Sequence, residues 1–220
     1  MIVTIDGPAG SGKSTVAQRL ARRLGFAYLD TGAMYRAIAF KALERPIDLH
    51  NAEALAALAR ETDIRFEPGS AGQCVIAGGV DVTAAIRTMQ VNEATPYVAK
   101  VPRVREALVL KQKRLGEQLG SLVAEGRDQG SVVFPQADVK FVLDGQVDKR
   151  AERRYTELKA AGQDVSYEHV LTNLEERDRG DQKHWLGLLA SGEAIHVDTT
   201  GMEVDAVVEY LYQVVVRKIG

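Results

Sequence analysis

This 220-residue chain has one cysteine, one tryptophan and four histidines, and each scarcity closes off a class of chemistry. Cys74 has no partner for an internal disulfide and no companions for a thiolate-bound metal, which fits a reducing compartment and a buried, structural thiol. His50, His169, His184 and His196 lack metal-ligand spacing, so no metal-binding histidine site is expected. No apolar run approaches the roughly 18 residues of a membrane-spanning helix. No basic-then-apolar leader precedes the apolar residues that begin at Ile2, and a cytoplasmic location with no membrane partner is expected. A basic excess is missing as well. Lys and Arg total 28 against 30 Asp and Glu, a net charge of −2 that argues against nucleic-acid binding. Repeats, low-complexity segments and the N-K-x-D base-recognition motif of GTPases are also absent.

What is present begins with 45% hydrophobic residues, enough for one large core carrying inserts. The run Gly7-Pro8-Ala9-Gly10-Ser11-Gly12-Lys13-Ser14-Thr15 follows apolar Ile2 to Ile5 and precedes a helix-periodic stretch that Gly25 can stop. That context makes G-x-x-x-x-G-K-[ST] a phosphate cradle. Its glycines let backbone N–H groups curl round a phosphate, Lys13 reaches the terminal phosphate oxygens, and the Ser14 hydroxyl can ligate Mg²⁺ at the positive end of a helix.

The next strand, Phe26 to Asp30, leads into Thr31-Gly32-Ala33-Met34-Tyr35-Arg36, with Thr31 as the expected helix N-cap. Thr31, Tyr35 and Arg36 either form a second anion site at the ligand-binding edge of the sheet or are a cap with a surface arginine. Short strands at 64–66, 73–77 and 80–82, broken by Pro68 to Gly72 and by Gly78-Gly79, predict an antiparallel meander outside the parallel sheet, either a substrate lobe or a structural flap. A helix near 91–94 and a longer one from Pro102 to about Leu119 follow. The buried-strand pattern of Ser121 to Glu125 delivers Gly126-Arg127-Asp128 to the P-loop edge, where Arg127 suits a phosphate and Asp128 a base amino group, an arginine or magnesium. The other reading is an Arg–Asp pair closing a loop. After the strand Val139 to Asp144, Arg150, Arg153 and Arg154 share a helix face, answered by a nucleotide's phosphates or by Glu152 and Glu157. A helix from Tyr167 is expected to end near Asp178, with Gly180 as breaker and Trp185 to Leu189 packing a loop onto the core. The strand Ala194 to Asp198 and a closing helix complete a doubly wound α/β fold of about five parallel strands.

Taken together, Ile5 to Thr15, Leu29 to Arg36, Glu125-Gly126-Arg127-Asp128-Gln129-Gly130-Ser131-Val132-Val133-Phe134-Pro135 and Glu176-Arg177-Asp178 resemble the bacterial cytidylate kinases over nearly the whole chain. The resemblance implies a single kinase domain with core 1–62, 101–147 and 163–220, a CMP-binding insert at 63–100 and a lid at 148–162. It implies a monomer with ATP and CMP or dCMP as substrates, Mg²⁺ at Ser14, and Gly7 to Thr15 with Arg150 and Arg153 on the donor. Thr31, Tyr35, Arg36 and Arg127 would surround the CMP phosphate, Arg105 and Asp128 face cytosine, Asp181 the ribose, and Arg87 also binds substrate. Lys13, Arg127, Arg154 and Arg177 would carry catalysis. The chain departs from the family at His184, where an arginine is usual, and at Pro96, where a serine is. A kinase of UMP, AMP or another small molecule, or a nonenzymatic ATP-binding regulatory module, keeps the P-loop equally well.

Overall fold

The computed structural model describes residues 1–45, 47–69, 72–160 and 162–219, leaving out the side chains of Asp181, Lys183 and His184. In chain order, Ile2–Asp6 is β1, Lys13–Leu24 α1, Ala27–Asp30 β2, Thr31–Glu44 α2 and Ala52–Glu61 α3. Ile64–Gly69, Gly72–Ala77 and Val80–Asp81 are β3, β4 and β5, and Met89–Ala99 and Pro102–Leu119 are α4 and α5. Leu122–Glu125 is β6, Val139–Asp144 β7, Val147–Ala160 α6, Tyr167–Ala190 α7, Ile195–Asp198 β8 and Val204–Ile219 α8. The chain forms two compact units, Met1–Leu29 with the residues from Gly116 onward, and Asp30–Leu115.

The first unit is built on a five-stranded sheet in the order β2-β6-β1-β7-β8. Central β1 runs parallel to β6, with Ile5 opposite Glu125, and parallel to β7, which runs parallel to β8. Successive strand residues point to opposite faces. Val3, Ile5, Val139, Phe141 and Leu143 therefore pack with Val16 and Leu20 of α1 and Leu211 and Val215 of α8, while Val142 points the other way onto Trp185 and Leu188 of α7. Lys140 is a buried charged residue within β7. Its buried side chain is answered by Glu193 at 2.6 Å. Helix α1 ends at Gly25, whose left-handed φ of 69° lets its N–H reach the carbonyls of Ala21 and Arg22, as the sequence predicts.

Helix α7 corrects an expectation, because it does not end near Asp178 but continues through Gly180 to Ala190. A helical glycine costs about 1 kcal/mol against alanine. Trp185 and Leu188, one turn apart, are buried on Val142, and burying such side chains returns about 1.5–3 kcal/mol each. Tertiary burial outweighs local propensity.

In the second unit, α2 to α5 and the β3-β4-β5 meander share a core that includes Met34, Ile38, Leu55, Ile86 and Leu108. Strands β3 and β4 pair antiparallel from Ile64 opposite Ala77 to Gly69 opposite Gly72, so Pro68, Gly69 and Gly72 are strand residues instead of turn. Ser70 and Ala71 lie outside the described residues. Gly78 and Gly79, with φ of 59° and 79°, make the two-residue turn that joins β4 to β5, a geometry that glycine adopts without strain. Among the described residues, no helix is long and apolar enough to cross a membrane.

The packing of α7 generates a stability prediction. Trp185→Ala is expected to lower unfolding stability by about 3–5 kcal/mol, read from urea denaturation followed by far-UV circular dichroism. A loss under about 1 kcal/mol would mean that burial of Trp185 does not hold the second half of α7.

Candidate active site

The turn between β1 and α1 is shaped by close backbone approaches. At Gly7, with φ of 137°, a Cβ would stand 2.0 Å from the Leu143 carbonyl oxygen, so no other residue fits. Gly10 faces the backbone of Arg150 in the same way, and Gly12, with φ of 85°, turns the chain into α1. Lys13 is buried, and its Nζ donates to the Pro8 carbonyl at 2.6 Å. Burial first, then repulsion from Arg127, pushes its pKa down to about 7 against the pull of Glu125 and Asp6. The charge of Arg177 acts on Lys13 in the same direction as that of Arg127.

Three segments converge on this loop. At the end of β6, buried Glu125 accepts from the Ser14 hydroxyl at 2.6 Å and from Tyr28 at 3.4 Å. Arg127 donates to the Gly7 carbonyl, and Asp128, also buried, heads a short π-helix over Gln129–Val133. Its carbonyl accepts from Val132 and Val133. From α6, Arg150 donates to the Ala9 carbonyl at 2.9 Å, the Gly145 carbonyl at 2.8 Å and Asp178 of α7 at 2.6 Å.

Arg150, Arg153 and Arg154 therefore start from one helix and separate. Arg150 braces the P-loop, Arg153 donates to the carbonyl and hydroxyl of Thr199 after β8, and half-buried Arg154 pairs with Glu157 at 3.1 Å. The side chain of Asp181 lies outside the described residues, as do those of Lys183 and His184.

The second unit holds its own cluster at the start of α2. Asp30, not Thr31, is the N-cap: its carboxylate accepts from the Ala33 N–H at 2.9 Å on one oxygen and from Arg36 at 2.8 Å on the other, the second a charge-assisted bond. Thr31 is buried in the first helical turn, with Tyr35 and Arg36 on the next. Arg36 Nε is buried with no hydrogen-bond partner among the described residues. Arg87 is exposed at the end of a 3-10 turn over Ala85–Arg87, and half-buried Arg105 lies on α5. Asp6, Glu125 and Asp30 take part without having been singled out as site residues. The signal for each is the same, an acidic side chain closing an apolar strand.

Comparison with known proteins gives this arrangement a family. The family model described as cytidylate kinase matches residues 3–217. The chain belongs to the cytidylate kinase family. A cytidylate kinase of Pseudomonas savastanoi pv. phaseolicola is 47% identical over 211 residues, covering 94% of this chain and 92% of that protein. One from Carboxydothermus hydrogenoformans is 44% identical over 219 residues, covering 99% of this chain and 98% of its own. Among solved structures, shikimate kinase from Bacteroides thetaiotaomicron aligns with a TM-score of 0.51 at 12% identity over 98% of each chain, a likeness of fold alone. The cytidylate kinase match takes in the P-loop, the Glu125 to Pro135 block and both compact units.

The depressed pKa of Lys13 has a measurable consequence. Folded Lys13 releases its proton near pH 7 and the unfolded residue near 10.5, so between those values the unfolded chain binds more protons and stability rises with pH. Below pH 7 the full cost of burying the ammonium is present. Lys13→Met is expected to flatten stability against pH over this window, in urea titrations run at several pH values beside the unaltered protein. Equal slopes would show that Lys13 is not depressed.

Proposed function

We propose that this protein transfers the γ-phosphoryl group of ATP to CMP or dCMP, giving ADP and CDP or dCDP. The observation that carries the reading is an intact phosphate cradle onto which the Glu125-Gly126-Arg127-Asp128 segment is bonded, Arg127 to Gly7 and Glu125 to Ser14, in a chain of this family. Phosphoryl transfer between two nucleotides asks for positioning and for cations around a crowded set of phosphate oxygens. The CMP phosphate has a second pKa near 6, about that of a phosphoserine, so its attacking oxygen is already ionised at neutral pH and needs no general base. The site offers arginines and a lysine to match.

In this reading Gly7 to Thr15 hold the ATP phosphates, and Lys13, Arg127, Arg154 and Arg177 neutralise the charge on the transferred group. Arg150 serves the donor through the loop it braces, and Arg153 through the Thr199-Thr200 turn. Thr31, Tyr35, Arg36 and Arg127 take the CMP phosphate, supported by the buried, unpartnered Nε of Arg36 and by Asp30, which fixes that guanidinium. Arg87 and Arg105 contribute to nucleotide recognition and Asp181 to the ribose. Residues 63–100 form the acceptor insert and 148–162 the lid. The donor set at Ser14 fits a magnesium ion. The ion prefers oxygen ligands, and a hydroxyl whose proton is given to the Glu125 carboxylate keeps its lone pairs free for one. Bound there with ATP, magnesium would neutralise phosphate charge. We place the protein in the cytoplasm as a monomer.

Asp128 selects the base. An ionised carboxylate accepts from the N4 amino group of cytosine and repels the carbonyl oxygen that uracil carries there. ADP release with MgATP is expected to be strong with CMP or dCMP and weak with UMP, AMP or no acceptor. Equal release without acceptor, or preference for another acceptor, would overturn the assignment. Asp128→Asn is expected to reduce the CMP-over-UMP preference in kcat/KM about 10- to 100-fold. An unchanged preference would remove Asp128 from base recognition.

A further inference from the structure

Asp6, the last residue of β1, is wholly buried, and none of the steps above uses it. Strand alternation turns Thr4 and Asp6 away from the Val3 and Ile5 face. There both carboxylate oxygens of Asp6 are engaged by consecutive backbone donors: Oδ1 accepts from the Gln129 N–H at 2.8 Å and Oδ2 from the Gly130 N–H at 2.7 Å. These donors open the π-helix that follows Arg127 and Asp128, and N–H groups at a helix start have no partners within the helix. Gly130 lies against the same residues. A Cβ there would stand 2.8 Å from Thr4 Oγ1, 3.0 Å from Leu188 Cδ2 and 3.3 Å from Asp6 Oδ2. On its other side the segment is held by the bond from Arg127 to the Gly7 carbonyl. Arg127 and Asp128 are thus clasped before and after by adjacent residues, Asp6 and Gly7, at the point where β1 enters the P-loop. The charges that act on Asp6 are Lys13, which attracts it, and Asp128, which repels it.

We propose that Asp6 is a positioning residue for acceptor recognition: by fixing the Gln129-Gly130 backbone it holds the Asp128 carboxylate in register with the phosphate cradle. The proposal rests on the reading that Asp128 recognises cytosine. Asparagine matches aspartate in shape but replaces one oxygen with an NH₂ group, which faces a backbone donor and leaves it without an acceptor.

The test compares Asp6→Asn, Gly130→Ala, Asp128→Asn and the Asp6→Asn/Asp128→Asn pair with the unaltered protein. It reads KM and kcat for CMP and UMP, KM for MgATP and thermal unfolding. Asp6→Asn is expected to raise KM for CMP about tenfold and narrow the CMP-over-UMP ratio about tenfold, as loss of a buried hydrogen bond would, while KM for MgATP moves less than about threefold. In the pair the ratio should fall no further than in Asp128→Asn alone, since both changes act through one carboxylate. A merely structural role would lower the unfolding temperature and leave the ratio untouched. That result, with Asp128→Asn still narrowing the ratio, overturns the proposal. An unchanged ratio in Asp128→Asn overturns the reading of Asp128, and the proposal with it. If Asp6→Asn does not fold, Gly130→Ala displaces the same segment with the carboxylate intact, and an unchanged ratio there overturns the proposal equally.

Discussion

Burial of charge at the carboxyl edge of the parallel sheet is the constraint on which the rest of the first unit depends. Asp6, Lys13, Glu125, Asp128, Arg150 and Asp178 are all buried there. An isolated charge in such a place costs several kcal/mol, so each must be answered by an opposite charge or by hydrogen bonds. The answers come from distant segments: Asp6 takes two backbone N–H groups of the π-helix, Ser14 meets Glu125, and Arg150 spans Ala9, Gly145 and Asp178. The Ser14 and Ala9 contacts tie the phosphate cradle to β6 and α6, Asp178 joins α6 to α7, and Asp6 fixes the π-helix to the end of β1. The same groups suit a polyanion, because cations already held without water need little rearrangement when negative charge arrives.

How much of this was legible in the sequence follows from the range of the interactions. The P-loop, the stop at Gly25 and the Gly78-Gly79 turn are local devices in which a few neighbouring residues settle the backbone, and the structure has them as read. The parallel strands show as apolar runs because both faces of such a sheet are covered. The end of α7 was misread because Gly180 is a local signal while the burial of Trp185 on Val142 is not. Thr31 reads as a cap because hydroxyls cap helices, but the carboxylate of Asp30 caps the helix with one oxygen and pairs with Arg36 through the other, a contact between residues six apart. The π-helix at Gln129–Val133 leaves no periodic trace, and the two hydrogen bonds that Asp6 accepts from it cross more than half of the chain.

The arginines of α6 show why spacing alone misleads about a charged face. Placed three and four positions apart, Arg150, Arg153 and Arg154 suggest one cationic surface, yet long side chains reach several ångströms and end in different environments. Arg150 turns inward to the cradle, Arg153 crosses to the Thr199 turn, and only Arg154 stays at the surface beside Glu157. The helix thereby fastens the P-loop to the segment after β8 and keeps one guanidinium at its rim.

The single tryptophan and the single cysteine, remarked first for their scarcity, have a joint consequence. Trp185 lies in the first compact unit and half-buried Cys74 in the second. Each unit therefore carries its own single optical handle, an indole in the first and a thiol that takes one dye in the second, so the unfolding of each can be followed by itself without an introduced residue.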